Sequence, residues 1–134
     1  MDFISDIFSP ELPASQYSPL TLAYLGDNVY ELFVRSYLVS QGNYPVHRLH
    51  MMARDYVSAA AQSKALEWIE EEFTEEEAAV YKRGRNAKSA TVPKNAKLID
   101  YKRATGLETL MGYLYLTGQS ERIFYFLKKI IAHH

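Results

Sequence analysis

The sequence of 134 residues lacks cysteine altogether and has no long apolar run. Without cysteine, disulfide bonds, zinc–thiolate sites and thiol catalysis are excluded. No uninterrupted apolar stretch approaches the roughly 20 residues that cross a bilayer. The first six residues are acidic rather than basic, which is unlike a signal peptide. We therefore expect a cytoplasmic protein with no membrane partner.

Strand patterns, internal repeats and low-complexity segments are also missing from the sequence. With 48% hydrophobic residues the chain has enough apolar material for a core, and its length is that of one domain, residues 1–134. We predict an all-α fold with a short helix early in the first 17 residues. The longer helices are predicted over residues 18–40, 46–73, 74–83, 96–118 and 120–131.

A mostly apolar helix with an acid at its centre is the first unusual feature. Residues 20–34 are apolar on nearly every side of the predicted helix, and Asp27 lies in the middle. A carboxylate there is costly unless it is paired, hydrogen-bonded or bound to a metal. Gly26 costs a helix about 1 kcal/mol relative to alanine, which indicates that another backbone approaches closely. Glu31, one turn further on, is expected to pair with a nearby arginine.

A second stretch repeats this pattern. Residues 104–118 contain one charge, Glu108, together with the helix glycines Gly106 and Gly112. We hypothesise that the two helices cross with Asp27 facing Glu108. Two carboxylates in a site that excludes water raise each other's pKa unless a bound cation neutralises them. Magnesium binds one or two carboxylates and completes its coordination with water and substrate phosphate. The spacing leaves a second interpretation open, in which Asp27 caps or pairs locally and Glu108 meets an arginine in the core.

Basic residues are concentrated in one segment, although the formal net charge is −1. Residues 82–103 include eight basic residues and one acidic residue, around a long polar loop at 84–96. Because this segment runs directly into the Glu108 helix, it indicates a polyanion bound at one place; a solvated lysine-rich loop is the alternative. The candidate binding residues are Arg83, Arg85, Asn86, Lys88, Lys94, Lys97, Lys102 and Arg103.

Two motifs resemble a known enzyme family. The sequence LAYLGDNV at residues 22–29 resembles the signature motif of ribonuclease III endonuclease domains, in which Leu-Gly-Asp follows an aromatic residue. The sequence ETLMGYLYL at residues 108–116 resembles that family's second motif, in the family's order and at roughly its separation. Further blocks at residues 83–88, 92–96 and 104–106 follow the pattern of the Mini-ribonuclease III subfamily, so the resemblance covers nearly the whole chain.

The resemblance implies an all-helical endonuclease domain that acts as a homodimer on double-stranded RNA. It implies magnesium-dependent hydrolysis, with manganese as a substitute, and makes Asp27 and Glu108 the catalytic, metal-binding acids. For the subfamily it implies maturation of the precursor of the large-subunit (23S) ribosomal RNA. A ribosomal protein bound to that substrate is a further candidate partner. We place the dimer contact on the Asp27 helix, at Leu25, Val29 and Phe33.

The chain departs from the wider family at three acidic positions, which here are Leu20, Ala23 and Thr105. Only Asp27 and Glu108 remain, so we expect weaker metal binding, with water and RNA phosphate filling the missing positions. The 26 residues after Glu108 are too few for a double-stranded RNA-binding domain of about 70 residues. We therefore expect the dimer of catalytic domains to bind the substrate by itself. The alternatives are a related module that binds structured RNA without cutting it and a helical interaction protein with structural carboxylates.

Overall fold

A computed structural model describes residues 9–88 and 97–134. In this part of the chain there are six α-helices and no strand, so the all-α prediction is confirmed. The helices are α1 (Pro19–Gln41), α2 (Val46–Val57), α3 (Ala59–Ile69), α4 (Glu75–Arg85), α5 (Leu98–Leu116) and α6 (Ser120–His133). Two short 3₁₀ turns cover Ala14–Gln16 and Glu70–Glu72. The short helix predicted near the N-terminus falls largely on residues 1–8, which lie outside the described residues.

Helix α5 is the centre of the fold. Every residue from 104 to 114 is buried except Glu108, which is partly exposed. The helix packs against α1, α3, α4 and α6, which together cover its apolar sides. A helix with apolar residues all round has no preferred outer face, so it folds stably only when neighbours surround it. Glu108 is thus carried into the interior by the element that has the least solvent contact.

Helices α1 and α5 cross with their backbones in contact. A Cβ atom placed on Gly26 would overlap the carbonyl oxygen of Glu108 and lie 2.7 Å from the backbone nitrogen of Gly112. A Cβ atom on Gly112 would overlap the carbonyl oxygen of Leu22 in the same way. Only glycine fits at both positions. The close approach predicted from Gly26 and Gly112 is therefore confirmed.

The prediction of one long helix over residues 46–73 is wrong, because the chain forms two helices there. Ser58 is extended, with φ −63° and ψ 156°, and separates α2 from α3. Its Oγ accepts a hydrogen bond from the backbone nitrogen of Ala61 at 3.1 Å. This cap satisfies a backbone donor that a helix start otherwise leaves free, so the break costs little. The apolar spacing continues across the break, which is why periodicity alone missed it.

Helix capping fixes the remaining boundaries. The predicted capping box at the start of α4 is confirmed: the Thr74 nitrogen donates to Glu77 Oε1 at 2.9 Å, and the Glu77 nitrogen donates to Thr74 Oγ1 at 3.1 Å. Glu77 is buried and accepts from Arg122 Nε at 2.7 Å, which ties α4 to α6. Ser120, predicted as the cap of α6, is instead its first residue. Gln119 occupies the cap position, and its side chain makes no capping hydrogen bond.

Candidate active site

The α1–α5 crossing brings Asp27 and Glu108 together. Gly26 precedes Asp27, and the backbone of Gly26 touches the backbone of Glu108 itself. The two carboxyl groups interact through charge and through a side-chain hydrogen bond. Asp27 is exposed, whereas Glu108 lies mostly inside the protein. The hypothesis that these two acids face each other therefore agrees with the geometry, and the alternative in which Glu108 meets a core arginine does not.

The environment of Glu108 favours its neutral form. Burial, with a further contribution from the negative charge of Asp27, raises the pKa of Glu108 to about 8. A hydrogen bond from Gln62 acts in the opposite direction, but it is outweighed. A carboxyl group with such a pKa keeps its proton at neutral pH and can donate it to the neighbouring carboxylate. A bound cation would take the place of that proton, because it can hold both carboxyl groups in their ionised form.

The raised pKa of Glu108 predicts how the stability of the metal-free protein depends on pH. Glu108 binds its proton more tightly in the folded than in the unfolded state, so its stabilising contribution is complete below about pH 4.5 and is lost as pH rises towards about 8. We expect the free energy of unfolding to fall by up to about 1.4 kcal/mol per pH unit within that window. Urea unfolding in a chelator between pH 5 and 8.5 measures this slope.

The matched control for this slope is Glu108→Gln. Glutamine has the same shape but does not titrate, so the contribution of position 108 becomes flat. Groups remote from the site titrate equally in both proteins, so the difference between the two curves reports the Asp27–Glu108 pair. Identical slopes in the wild type and the variant would contradict the raised pKa.

Two buried polar side chains next to Glu108 were missed in the sequence. Gln62 on α3 donates from Nε2 to Glu108 Oε2 at 3.2 Å and to the carbonyl oxygen of Val57 at 3.0 Å. Tyr30 on α1 is buried, and its pKa is raised by burial first, then by the charges of Tyr56 and Glu108. Within the described residues, neither the Tyr30 hydroxyl nor Gln62 Oε1 has a hydrogen-bond partner. The available signal was a glutamine on the buried face of α3, next to Ser63 and among the apolar residues Ala65, Leu66 and Ile69.

In the part of the chain that the structure describes, no third acid completes the site. Glu31 pairs with Arg35 at 2.8 Å, as expected from the sequence. Among residues 9–88 and 97–134 there is no group of three or more histidine, aspartate or glutamate side chains that would hold a metal ion. Asp27 and Glu108 are therefore a two-carboxylate site, a donor set that suits a cation which keeps several of its waters.

Comparisons with known proteins identify the family. Residues 20–119 match the family described as Ribonuclease III domain. A protein named Mini-ribonuclease 3 from Enterococcus faecalis is 53% identical over 110 residues, which is 81% of this chain and 83% of that protein. Another with that name from Clostridium tetani is 44% identical over 130 residues, which is 96% of this chain and 85% of that protein. The chain belongs to the ribonuclease III family.

A solved structure supports the family assignment. The crystal structure of a protein from Fusobacterium nucleatum matches this fold with a TM-score of 0.81 and 34% sequence identity, over 88% of this chain and 94% of that one. The resemblance to the Mini-ribonuclease III subfamily is therefore confirmed. The ribonuclease III family is one of double-strand-specific endoribonucleases, so the prediction of an enzyme of this type is confirmed at the level of the family.

The predicted RNA-binding residues of this ribonuclease III domain fall into two groups. Arg83 donates to the carbonyl oxygens of Ser15 (3.2 Å) and Tyr17 (3.3 Å), and Arg103 lies 4.0 Å from Glu70, so both already have partners within the chain. Lys94 lies outside the described residues. The other candidates lie at the end of α4 or at the start of α5, with side chains that are exposed or, for Arg85, half-buried: Arg85, Asn86, Lys88, Lys97 and Lys102.

The predicted dimer contact needs a correction at Val29. Val29 is buried in the core of this chain, so it is not available to a partner. Leu25 and Phe33 are half-buried and pack against the same core, with the Phe33 ring 4.9 Å from that of Phe124. A helix that is apolar all round does not indicate which side faces its own chain. The large apolar side chains that α1 does expose are Leu20, Tyr24, Leu32 and Val39.

Proposed function

We propose that this protein hydrolyses double-stranded RNA at the Asp27–Glu108 pair, with magnesium as its cofactor. The observation that carries the proposal is the glycine crossing, which places one exposed and one mostly buried carboxyl group side by side from distant parts of the chain. Two acids in this position destabilise the metal-free protein, and a fold tolerates that cost where the charges are used. Membership of the ribonuclease III family supports the same activity.

The residues present fit magnesium. Asp27 and Glu108 would hold the ion, and the exposure of Asp27 leaves that side open to water and to a phosphate oxygen. When bound, magnesium supplies an acidified water molecule and positive charge for the scissile phosphate. Manganese is expected to substitute, because it also accepts oxygen ligands. Hydrolysis that breaks the bond to the 3′ oxygen leaves a 5′-phosphate and a 3′-hydroxyl.

The basic residues around α4 and α5 are proposed to hold the RNA. Phosphate contacts give affinity that depends on charge rather than sequence, and an A-form duplex is recognised mostly by shape. Lys97, at the N-cap of α5, lies three turns before Glu108, about 16 Å along the helix axis, so it would contact a phosphate remote from the cut. Lys88 and Arg85 extend the basic surface from the end of α4. Lys94, Arg83 and Arg103 stay predictions in the same role.

We further propose that the chain works as a single catalytic domain and as a homodimer in which each protomer cuts one strand. A symmetric pair presents the same surface twice, which suits the two strands of a duplex. Leu25 and Phe33 stay candidates for the dimer contact, and the exposed Tyr24 and Leu32 on α1 support a partner on that helix. The proposed substrate is the precursor of 23S ribosomal RNA in the cytoplasm, with a ribosomal protein on the RNA as a candidate helper.

A module that binds structured RNA without cutting it is the second candidate. The specific observation in its favour is that only two acids remain at the site among the described residues. A non-cutting protein would retain the basic surface while losing the metal. It would bind duplex RNA with a strong salt dependence and leave the strands intact.

Incubation of the protein with a labelled RNA duplex and magnesium tests the proposal. We expect cuts in both strands with 5′-phosphate ends, none in a chelator, and none in the same strands kept single. Gel-shift measurements on the same duplex give the binding independently. Binding without cutting, at any magnesium or manganese concentration, would favour the non-cutting module and overturn the nuclease proposal.

A further inference from the structure

The amide of Gln62 has a fixed orientation beside Glu108. The side chain is 1% exposed, and both of its neighbours, the Val57 carbonyl and the Glu108 carboxyl oxygen Oε2, are acceptors. Only the Nε2 end of the amide can donate to them, so a flipped amide would lose both hydrogen bonds. Gln62 therefore links Glu108 on α5 to the end of α2.

The break between α2 and α3 creates this link. Val57 is the last residue of α2, and the final carbonyl groups of a helix have no partner within it. After the turn at Ser58, α3 returns Gln62 to that free carbonyl oxygen, and the same nitrogen also reaches Glu108. A continuous helix would use the Val57 carbonyl in its own backbone ladder. The helix break thus frees the Val57 carbonyl, and Gln62 uses that carbonyl to anchor the amide that contacts Glu108.

Stability does not explain a glutamine at this position. Its Oε1 atom is buried without a hydrogen-bond partner in the described part of the chain. An unpaired buried acceptor costs about 1–3 kcal/mol, and an apolar side chain of the same length would avoid that cost. The polar side chain is retained at a place where its other end holds Glu108, which points to a role in the site.

We propose that Gln62 is a positioning residue that holds the Glu108 carboxyl group in the orientation that the divalent cation requires. The Gln62 amide anchors one Glu108 oxygen to the α2–α3 junction and so restricts the rotamers that the Glu108 side chain can adopt. The carboxyl group then stays beside Asp27 even before a cation arrives. This inference rests on the proposed role of Glu108.

The substitution Gln62→Met tests the inference, because methionine has similar length but no donor. We expect the affinity for Mn²⁺, measured by calorimetry on the RNA-free protein, to fall about 10- to 100-fold. The magnesium concentration for half-maximal cleavage should rise by a similar factor. At a fixed, sub-saturating magnesium concentration kcat should fall, while KM for the duplex stays within about twofold, since Gln62 is buried and does not touch RNA. The midpoint of urea unfolding should stay close to that of the wild type.

Ser63→Ala is the matched control. Ser63 is the next residue of α3 and is also buried, so this variant changes the same helix while it keeps the Gln62 donor to Glu108. It should retain metal affinity and kcat. A Gln62→Met variant that binds Mn²⁺ and cuts like the wild type, while Asp27→Asn is inactive, would overturn the positioning role and leave the nuclease proposal standing. If the wild-type protein does not cut, the nuclease proposal is wrong instead, and the Mn²⁺ affinities from calorimetry still test the positioning role of Gln62.

Nuclear magnetic resonance of the wild type keeps the inference testable if Gln62→Met does not fold. The Gln62 side-chain NH₂ protons should be protected from exchange with solvent, and Glu108→Gln or added magnesium should shift their resonances. Exchange as fast as that of an exposed glutamine, or resonances that respond to neither change, would overturn the proposal.

Discussion

Replacing Asp27 with asparagine is expected to abolish cleavage of duplex RNA while making the metal-free protein more stable. Asparagine keeps the size of the side chain but removes its charge. The loss of one electrostatic contact at a reacting centre, such as a single oxyanion-hole donor, lowers rates by about 10²–10³-fold. Because the described residues bring only two acids to the site, the loss should reach at least that range. Single-turnover cleavage of a labelled duplex at saturating magnesium measures this effect.

The gain in stability follows from the same charge. Burial and the Asp27 charge together raise the pKa of Glu108 to about 8, which means that the two carboxyl groups oppose each other in the metal-free protein. In the Asp27→Asn variant, Glu108 ionises against less repulsion and gains an amide donor beside it. We expect the free energy of unfolding in a chelator at pH 8 to increase by about 0.5–2 kcal/mol.

Glu31→Gln is the matched control for Asp27→Asn. It makes the same change from acid to amide one turn further along α1, where the side chain pairs with Arg35. An exposed ion pair contributes about 0.2–1 kcal/mol, so this variant should be slightly less stable and should cut within a fewfold of the wild type. If Asp27→Asn cuts duplex RNA as fast as Glu31→Gln, the proposed role of Asp27 is wrong.

The carboxyl pair could be predicted from the sequence because its signals are local. Glycine inside a helix and a lone acid among apolar residues are both unfavourable, and they coincide at Gly26 and Asp27. The same coincidence returns around Glu108 and Gly112. In the fold the two glycines lie at one backbone contact and the two acids lie beside it. A local cost repeated at two sites was enough to suggest the pairing, while the spacing alone also allowed each acid to be satisfied locally.

Gln62 could not be predicted in the same way, because its position depends on a break that leaves almost no trace in the sequence. The only signal of the break is the Ser58 hydroxyl, within a stretch whose apolar spacing continues on both sides. The assignment of Val29 to the dimer contact was wrong for a related reason. The pattern shows that α1 is apolar on nearly every side, but whether a given side packs on α5 or on a partner is decided by the tertiary fold.

Replacing Gly26 with alanine is expected to disrupt both the fold and the site. Helix propensity alone predicts a gain of about 1 kcal/mol, since alanine is the best helix former and glycine a poor one. The added methyl group, however, would overlap the carbonyl oxygen of Glu108 and crowd the backbone nitrogen of Gly112. Backbone atoms of two packed helices cannot turn aside as a side chain can. Overpacking costs about 1–3 kcal/mol or more, and an overlap with a backbone oxygen lies at the upper end of that range. After the gain in helix propensity, we expect a net loss of about 2 kcal/mol in the free energy of unfolding, measured in urea.

Gly42→Ala separates this effect from a general intolerance of alanine. Gly42 follows α1 with φ 166°, which is extended backbone that any residue adopts, and a Cβ atom there would meet only the Tyr44 ring, at 3.0 Å. That ring belongs to a side chain that can move, so the stability should change by no more than about 0.5 kcal/mol. Where Gly26→Ala still folds, the two helices must separate, and cleavage should fall even at saturating magnesium. A Gly26→Ala protein as stable and as active as Gly42→Ala would mean that the α1 and α5 backbones do not touch, and the Asp27–Glu108 site would lose its structural basis.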